Sequence, residues 1–291
     1  LGNDEKIEKL AKELDLNLEG IEIVNLRHDR ETERRERYAH ILAEKRAREG
    51  ATYDEANDKM FERNYFGMMM VETGDADAMI TGLYTKYTNT IEVAKEVIGI
   101  RSEYKHFGTR HGRSSKKGPY FLADTLINRH PDTETLIDVA KLAEHTVRFF
   151  NHTPVMAMLS YSNFGSDQAG SPAKVHEAVA FMHRNYPELA IDGEMQVNFA
   201  MNTELRDAKY PFTRLKGKDV NTLIFPNLSS ANSGYKLIQA MTDTELIGPI
   251  QMGLNKPIHF TDIESSVRDI VNITAVAVID ALVDKKKASI K

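Results

Sequence analysis

The apolar positions of the chain change period many times. Short, mostly apolar runs predict buried strands over residues 21–24, 78–81, 120–124, 155–160 and 222–226, and the mixed stretch 191–196 reads as the end of a further strand. Between them apolar residues recur at helical spacing. Residues 4–15 place Ile7, Leu10, Ala11 and Leu14 on one face, and residues 132–150 do the same with Leu136, Val139, Ala140, Ala143 and Val147, capped by Asp132 or Thr133. Further helices are predicted over 29–48, 64–71, 91–98 and 172–185. In 29–48, Arg34, Arg35 and Arg37 alternate with Glu33 and Glu36, the pattern of a solvated face. Thr52 and Glu55 have the spacing of a capping box. Met68, Met69 and Met70 read as core filler. Asp75 and Asp77 read as backbone caps of a turn rather than a metal pair. Residues 209–220 read as a long surface loop.

The repeat of strand, polar turn and helix predicts an α/β fold with a mostly parallel sheet covered by helices. Two polar turns follow buried strands: 161–166 after 155–160, and 227–234 after 222–226. A helix then begins near Tyr235, with Leu237, Ile238 and Met241 on one side. In open sheets ligands sit outside the carboxyl ends of the strands. Free N–H groups and small side chains there suit an anionic ligand, and glycine permits close approach. The candidates are Ser160, Ser162, Asn163, Gly165, Ser166, Asn227, Ser233 and Gly234. Asp192 and Glu194 fall at the end of the 191–196 strand. The closing helix opens at Ser265–Ser266, with Val267, Ile270, Val271 and Thr274 at helical spacing.

Composition narrows the classes. At 291 residues, with 41% hydrophobic and 28% charged positions, the chain can form a large globular core. A net charge of −5 argues against nucleic-acid or membrane-surface partners. With no cysteine, disulfides, thiolate metal sites and a cysteine nucleophile are excluded, which fits a cytoplasmic protein. The ten histidines form no ligand-spaced motif, and neither a GxGxxG nor a P-loop pattern is present.

Three ordered stretches carry a resemblance: NYFGMMMVETGDADAMITG from Asn64, MLSYSNFGS followed by IDGEMQ between Met158 and Gln196, and LIFPNL, GYKL, IGPIQMGLNKP and SSVRDIVN between Leu223 and Asn272. Together they resemble the phosphate acetyl/butyryl transferase family. The Lys-Pro-Ile-His segment and SSVRDIVN look like its branch at the C-terminus of bacterial NADP-dependent malic enzymes, understood as an acetyl-CoA-sensing module. The resemblance implies a two-lobed α/β/α fold of the phosphotransacetylase and isocitrate-dehydrogenase type. Residues 1–130 with 257–291 would form one lobe, 131–256 the other, and the ligand cleft would lie between them. It implies a homodimer through the second lobe and a larger homo-oligomer in the parent protein. An LGN element like Leu1-Gly2-Asn3 follows an opening strand–helix unit in the family, so the chain reads as a fragment. NADP and Mg2+ or Mn2+ would belong to the malic-enzyme part.

In the family the turn at Thr85, Lys86, Tyr87 and Asn89 faces the cleft, which makes these residues candidates for acetyl-CoA contact, with Lys256 as a further candidate, although helix capping explains the turn residues equally well. The basic stretch with Lys105, His106, Arg110, His111, Arg113, Lys116 and Lys117 corresponds to a hairpin that could meet coenzyme A phosphates or simply be solvated. Active members carry a Ser-Arg pair before the last helix, where this chain has Asp262 and Ile263. A family arginine is replaced by Glu92, and the family aspartate is retained as Asp269. A carboxylate ~4 Å from a phosphate charge repels it by about 4 kcal/mol at an effective dielectric near 20. The expectation is a lost transferase site and a retained acetyl-CoA site. Two alternatives stay open: an active phosphate acetyl- or butyryltransferase in which Lys86 or Lys256 replaces the lost arginines, and a structural oligomerisation domain.

Overall fold

The computed structural model describes residues 1–82, 86–113, 118–242, 246–261, 263 and 265–290, except the side chains of Arg110, Arg113, Leu246, Lys287, Ala288 and Ile290. Contacts divide the chain into two compact units. The first holds Leu1–Gly99, Asn255–Ile258 and Ala277–Lys291; the second holds Ile100–Leu254 and His259–Val276. The division falls near Gly99, not at the crossing read near residue 130. The reason is hydrogen bonding: the strands at 108–113 and 120–123 are built into the sheet of the second unit.

The first unit is mainly helical: α1 (Asp4–Glu13), α2 (Thr32–Lys45), α3 (Tyr53–Lys59), α4 (Arg63–Thr73), the short strand β1 (Met79–Thr81) and α5 (Tyr87–Val97). The Thr52–Glu55 capping box forms in full at the start of α3. Tyr38, Leu42, Phe66, Met68 and Met69 are buried, and Tyr38 meets Phe66 edge-on at 5.2 Å. Arg35 departs from the solvated face predicted for it. It is buried, donates to the carbonyls of Leu26 (2.7 Å) and His28 (3.0 Å) and to Thr32 Oγ1 (2.7 Å), and lies over the Phe61 ring. Residues 21–24 form no strand: Val24 is buried while Ile21 is exposed, and the carbonyl of Val24 accepts from Gly2 N–H. β1 is half-buried rather than buried. The turn carboxylates bind side chains instead of capping backbone. Asp75 accepts from Tyr38 Oη (2.5 Å) and Arg37, and Asp77 pairs with Lys285. Burial, then the bond to Asp75, pushes the Tyr38 phenol up to about 12.

The second unit carries a six-stranded sheet. Its strands are β2 (Gly108–Arg113), β3 (Tyr120–Ala123), β4 (Val155–Leu159), β5 (Ala190–Met195), β6 (Thr222–Ile224) and β7 (Leu246–Met252), in the order β5-β4-β6-β3-β2-β7. From β5 to β3 the pairing is parallel, and β2 and β7 extend it antiparallel. The helices are α6 (Thr133–Phe149), capped by Asp132, α7 (Gly170–Asn185), α8 (Val197–Met201), α9 (Thr203–Lys209) and α10 (Leu228–Met241). The two-residue period of a strand sorts the core. Met156 and Met158 pack on the side of α6 and α7, with Leu136, Val139 and Val175. Ala157 and Leu159 pack on the other, with Ala200, Leu215 and Tyr235. Beyond α9, residues 210–220 are a mostly exposed loop, as expected, but Leu215 and Val220 turn into that core, and Arg206 donates to the carbonyls of Leu215 and Lys218.

Two elements close the chain: the short strand β8 (Ile258–Phe260) and α11 (Val267–Ile290). In α11 the stripe chosen from sequence is the exposed one. Val267, Val271 and Thr274 are exposed, and Ile273, Val276, Ala277 and Ala281 are buried. Residues 270–283 are apolar nearly all round, so periodicity could not choose the face.

Gly193, on β5, has φ +149, and a Cβ there would stand 2.5 Å from the Met158 carbonyl oxygen of the neighbouring strand. Gly193→Ala is expected to lower stability by roughly 2 kcal/mol through strain and overlap, read as the shift in urea midpoint. An unchanged midpoint would mean that β4 and β5 can separate at no cost.

Candidate functional site

Sequence-predicted ligand residues occur in both units. In the first, α5 begins at Tyr87, four residues before the predicted start, so Tyr87 and Asn89 lie in its first turn. Lys86 is the N-cap residue and its side chain makes no capping bond. Lys86, Asn89 and Glu92 are all exposed at three-residue spacing. Glu92 therefore puts an exposed carboxylate on the helix that the candidate cation caps. Thr85 lies outside the described residues. Lys256 is exposed. A pocket of about 350 Å3 in this unit is lined by Leu1, Arg63, Met70, Met79, Ile80 and Thr81 among others. Its described lining includes none of the predicted ligand residues.

In the second unit the turn after β4 differs from the predicted anion cradle, because its N–H groups are used internally. Ser162 N–H donates to Ser160 Oγ (3.2 Å), Asn163 N–H to Ser166 Oγ (3.0 Å), and Phe164 N–H to the Glu194 carbonyl (2.8 Å). Gly165 N–H donates to Glu194 Oε1 (2.5 Å), Ser166 N–H to the Asn163 carbonyl (3.1 Å) and Asp167 N–H to Ser162 Oγ (3.0 Å). The Ser162 hydroxyl also donates to Glu194 Oε1 at 3.1 Å. Glu194 is fully buried and organises the turn. Gly165 has φ +86, and the space its Cβ would fill is open. Asp192 faces elsewhere, accepting from Thr213 Oγ1 (2.7 Å) and Arg214 N–H (2.8 Å).

The second predicted turn is largely helix. α10 starts at Leu228, with Asn227 as N-cap accepting from Ser230 N–H at 3.0 Å. Ser233 and Gly234 lie inside it. A Cβ at Gly234 would come within 3.1 Å of the Phe225 ring, so this glycine serves close packing rather than approach of a ligand.

Sequence reasoning placed His111 in a solvated basic stretch. It is buried on β2, stacks on Tyr235 with ring centres 4.4 Å apart, and has Nδ1 3.0 Å from Thr125 Oγ1. Lys105 pairs with Glu134, and His106 Nδ1 lies 3.2 Å from Asp138 Oδ2. Lys116 and Lys117 lie outside the described residues. Asp124 was missed. It is buried just after β3 and accepts from Thr109 N–H (2.8 Å) and Oγ1 (2.9 Å) and from Asn128 N–H (2.7 Å) and Nδ2 (2.7 Å). An Asp-Thr pair closing the run Tyr-Phe-Leu-Ala was its only local signal.

Before α11, Ile263 is 85% exposed; Asp262 lies outside the described residues. Asp269 is held in a reciprocal cap. Its carboxylate accepts from Ser266 N–H (2.9 Å) and Oγ (2.7 Å), while its own N–H donates to Ser266 Oγ (3.1 Å). Among the described residues no group of three or more histidine, aspartate or glutamate side chains is placed to hold a metal ion, and no helix is long and apolar enough to cross a membrane.

Comparison with known proteins agrees with this architecture. The family model described as phosphate acetyl/butaryl transferase matches residues 1–278. The NADP-dependent malic enzyme of Escherichia coli is 35% identical over 279 residues, covering 95% of this chain and 36% of that protein. The phosphate acetyltransferase of Bacillus subtilis is 32% identical over 283 residues, covering 97% and 86%. A phosphotransacetylase from Streptococcus pyogenes superposes with a TM-score of 0.83 at 30% identity, covering 96% of this chain and 83% of that one. The chain thus spans about a third of the length of the malic enzymes it matches. With a sheet whose core strands run parallel between helical layers, and a family match from its first residue to α11, the chain belongs to the phosphate acetyl/butaryl transferase family.

Proposed function

We propose that the chain is a catalytically degenerate, phosphotransacetylase-like regulatory domain that binds acetyl-CoA as an effector. The observation that carries this reading is Ile263. An apolar side chain, 85% exposed, stands where the family resemblance calls for a phosphate-gripping arginine. Phosphate-directed transfer depends on cationic clamps, and isoleucine cannot form one. Glu92 adds negative charge on the exposed face of α5. Asp269, the retained family aspartate, has a structural use in the α11 cap, which accounts for its presence without catalysis.

In this proposal the remainder of the polypeptide is a malic enzyme, in keeping with the 35% identity to the Escherichia coli protein. It would bind NADP and Mg2+ or Mn2+ and decarboxylate malate oxidatively to pyruvate. Assembly is proposed as a homodimer through the second unit and a larger homo-oligomer in the parent, at a cytoplasmic location. The exposed apolar residues Leu237 and Met241 on α10, and Val197 and Met201 on α8, support that surface. Effector control requires acetyl-CoA to favour one of two states of the parent by differential affinity.

An active transferase is the second reading, favoured by the match to the Bacillus subtilis enzyme over 97% of the chain. Calorimetric titration with acetyl-CoA, run beside an assay for acetyl phosphate formation, separates the two. The expected outcome is a saturable heat without turnover. Turnover would overturn the regulatory reading in favour of the transferase, and the absence of any heat would overturn both.

A further inference from the structure

The bonding of the turn after β4 says which part of a ligand it can receive. Its N–H groups from Ser162 to Asp167 are taken up internally, and the Glu194 side chain lies against it. The two carboxylate oxygens of Glu194 differ. Oε1 accepts from Ser162 and Gly165. Oε2 is buried and makes no hydrogen bond; the His176 Nδ1 lies 3.4 Å away, on an imidazole whose side chain is 61% exposed. A buried acceptor without a donor is unfavourable and is relieved by an arriving N–H. A phosphate at the same place would meet a carboxylate and no free backbone donor.

We infer that this turn receives an uncharged, N–H-bearing segment of the ligand and turns away phosphate, with Glu194 as the specificity-determining residue. Resting on the acetyl-CoA reading, the segment is the amide-containing pantetheine arm, one of whose N–H groups reaches Glu194 Oε2 when the exposed His176 side chain rotates aside. The nucleotide phosphates of the ligand lie away from this turn.

The test uses the full 291-residue chain, with amide NMR signals of residues 162–166 as readout and pantetheine and inorganic phosphate as separate probes. In the wild type, pantetheine shifts these signals saturably and phosphate leaves them unmoved. Glu194→Gln keeps an oxygen for Ser162 and Gly165 but replaces Oε2 by a donor. It is expected to weaken pantetheine by about tenfold and to admit phosphate. His176→Ala, at an exposed position, is expected to tighten pantetheine by about threefold by clearing the acceptor. Saturable phosphate shifts at the wild-type turn, or pantetheine affinity unchanged in both variants, would overturn the inference. Acetyl-CoA that binds by calorimetry while the turn signals stay fixed would sink this subsite and leave the regulatory reading standing. Acetyl-CoA that gives no heat would sink that reading itself.

Discussion

Arg206→Ala is expected to destabilise the chain by about 3–5 kcal/mol, the range for breaking a buried, hydrogen-bonded charge pair. The guanidinium is fully buried on α9. Nη2 donates to the carbonyls of Leu215 (2.6 Å) and Lys218 (2.9 Å), and Nε donates to Asp207 Oδ1 (3.0 Å). Asp207 Oδ2 in turn accepts from Gly217 N–H at 2.6 Å. One side chain thus ties α9 to residues 215–218 and pulls Leu215 and Val220 into the core beside Ala200 and Tyr235. Alanine would remove the Arg206 donor from the Lys218 carbonyl and one of two donors from the Leu215 carbonyl, leave Asp207 without its cation and open a cavity where the long side chain lay. Urea unfolding at constant slope reads the loss as a midpoint shift. A loss under about 1 kcal/mol would mean that the apolar contacts of Leu215 and Val220 hold the segment without the arginine.

The same residues show how far the fold and the site could be read from sequence. Features set by near neighbours along the chain were legible. The Thr52–Glu55 box, the Asp132 cap and the buried strand at Val155–Leu159 depend on near neighbours alone. Features set by distant partners were not. Arg35 and Arg34 look alike in the sequence, yet only Arg35 finds the carbonyls of Leu26 and His28. α10 was begun too late because Ser, Asn and Gly are weak helix formers. What decides its start is the Asn227 cap and the burial of Ala231 and Tyr235 one turn apart. The polar turn after β4 was found, but its chemistry was misjudged. Glu194 lies 32 residues beyond Ser162 in sequence, and no local pattern reveals that its carboxylate fills the turn from below. A run of small polar residues suggests free donors; only the full hydrogen-bond account shows them engaged.

His259 is expected to make the chain acid-sensitive in a window that its removal abolishes. The side chain lies on β8, almost fully buried, and burial alone lowers its pKa from 6.5 to about 4. Its Nδ1 accepts a long bond from Gln251 N–H at 3.4 Å. Because the folded pKa is depressed, the unfolded chain binds this proton first. Stability from the neutral imidazole is therefore complete above pH 6.5 and falls as the pH drops towards 4. A shift of this size corresponds to about 3 kcal/mol across the window, with about 2 kcal/mol already lost at about pH 5. His259→Asn supplies an amide oxygen near the Nδ1 position and no group that titrates there. Subtracting its urea-unfolding free energies from those of the wild type, pH by pH, cancels most of the carboxylate contributions common to both. The difference should be flat from pH 8 to 6.5 and then turn against the wild type by about 3 kcal/mol on reaching pH 4. A difference that stays flat down to pH 4 would mean that the imidazole takes up its proton in the folded chain, with an acceptor or water reaching it inside the second unit.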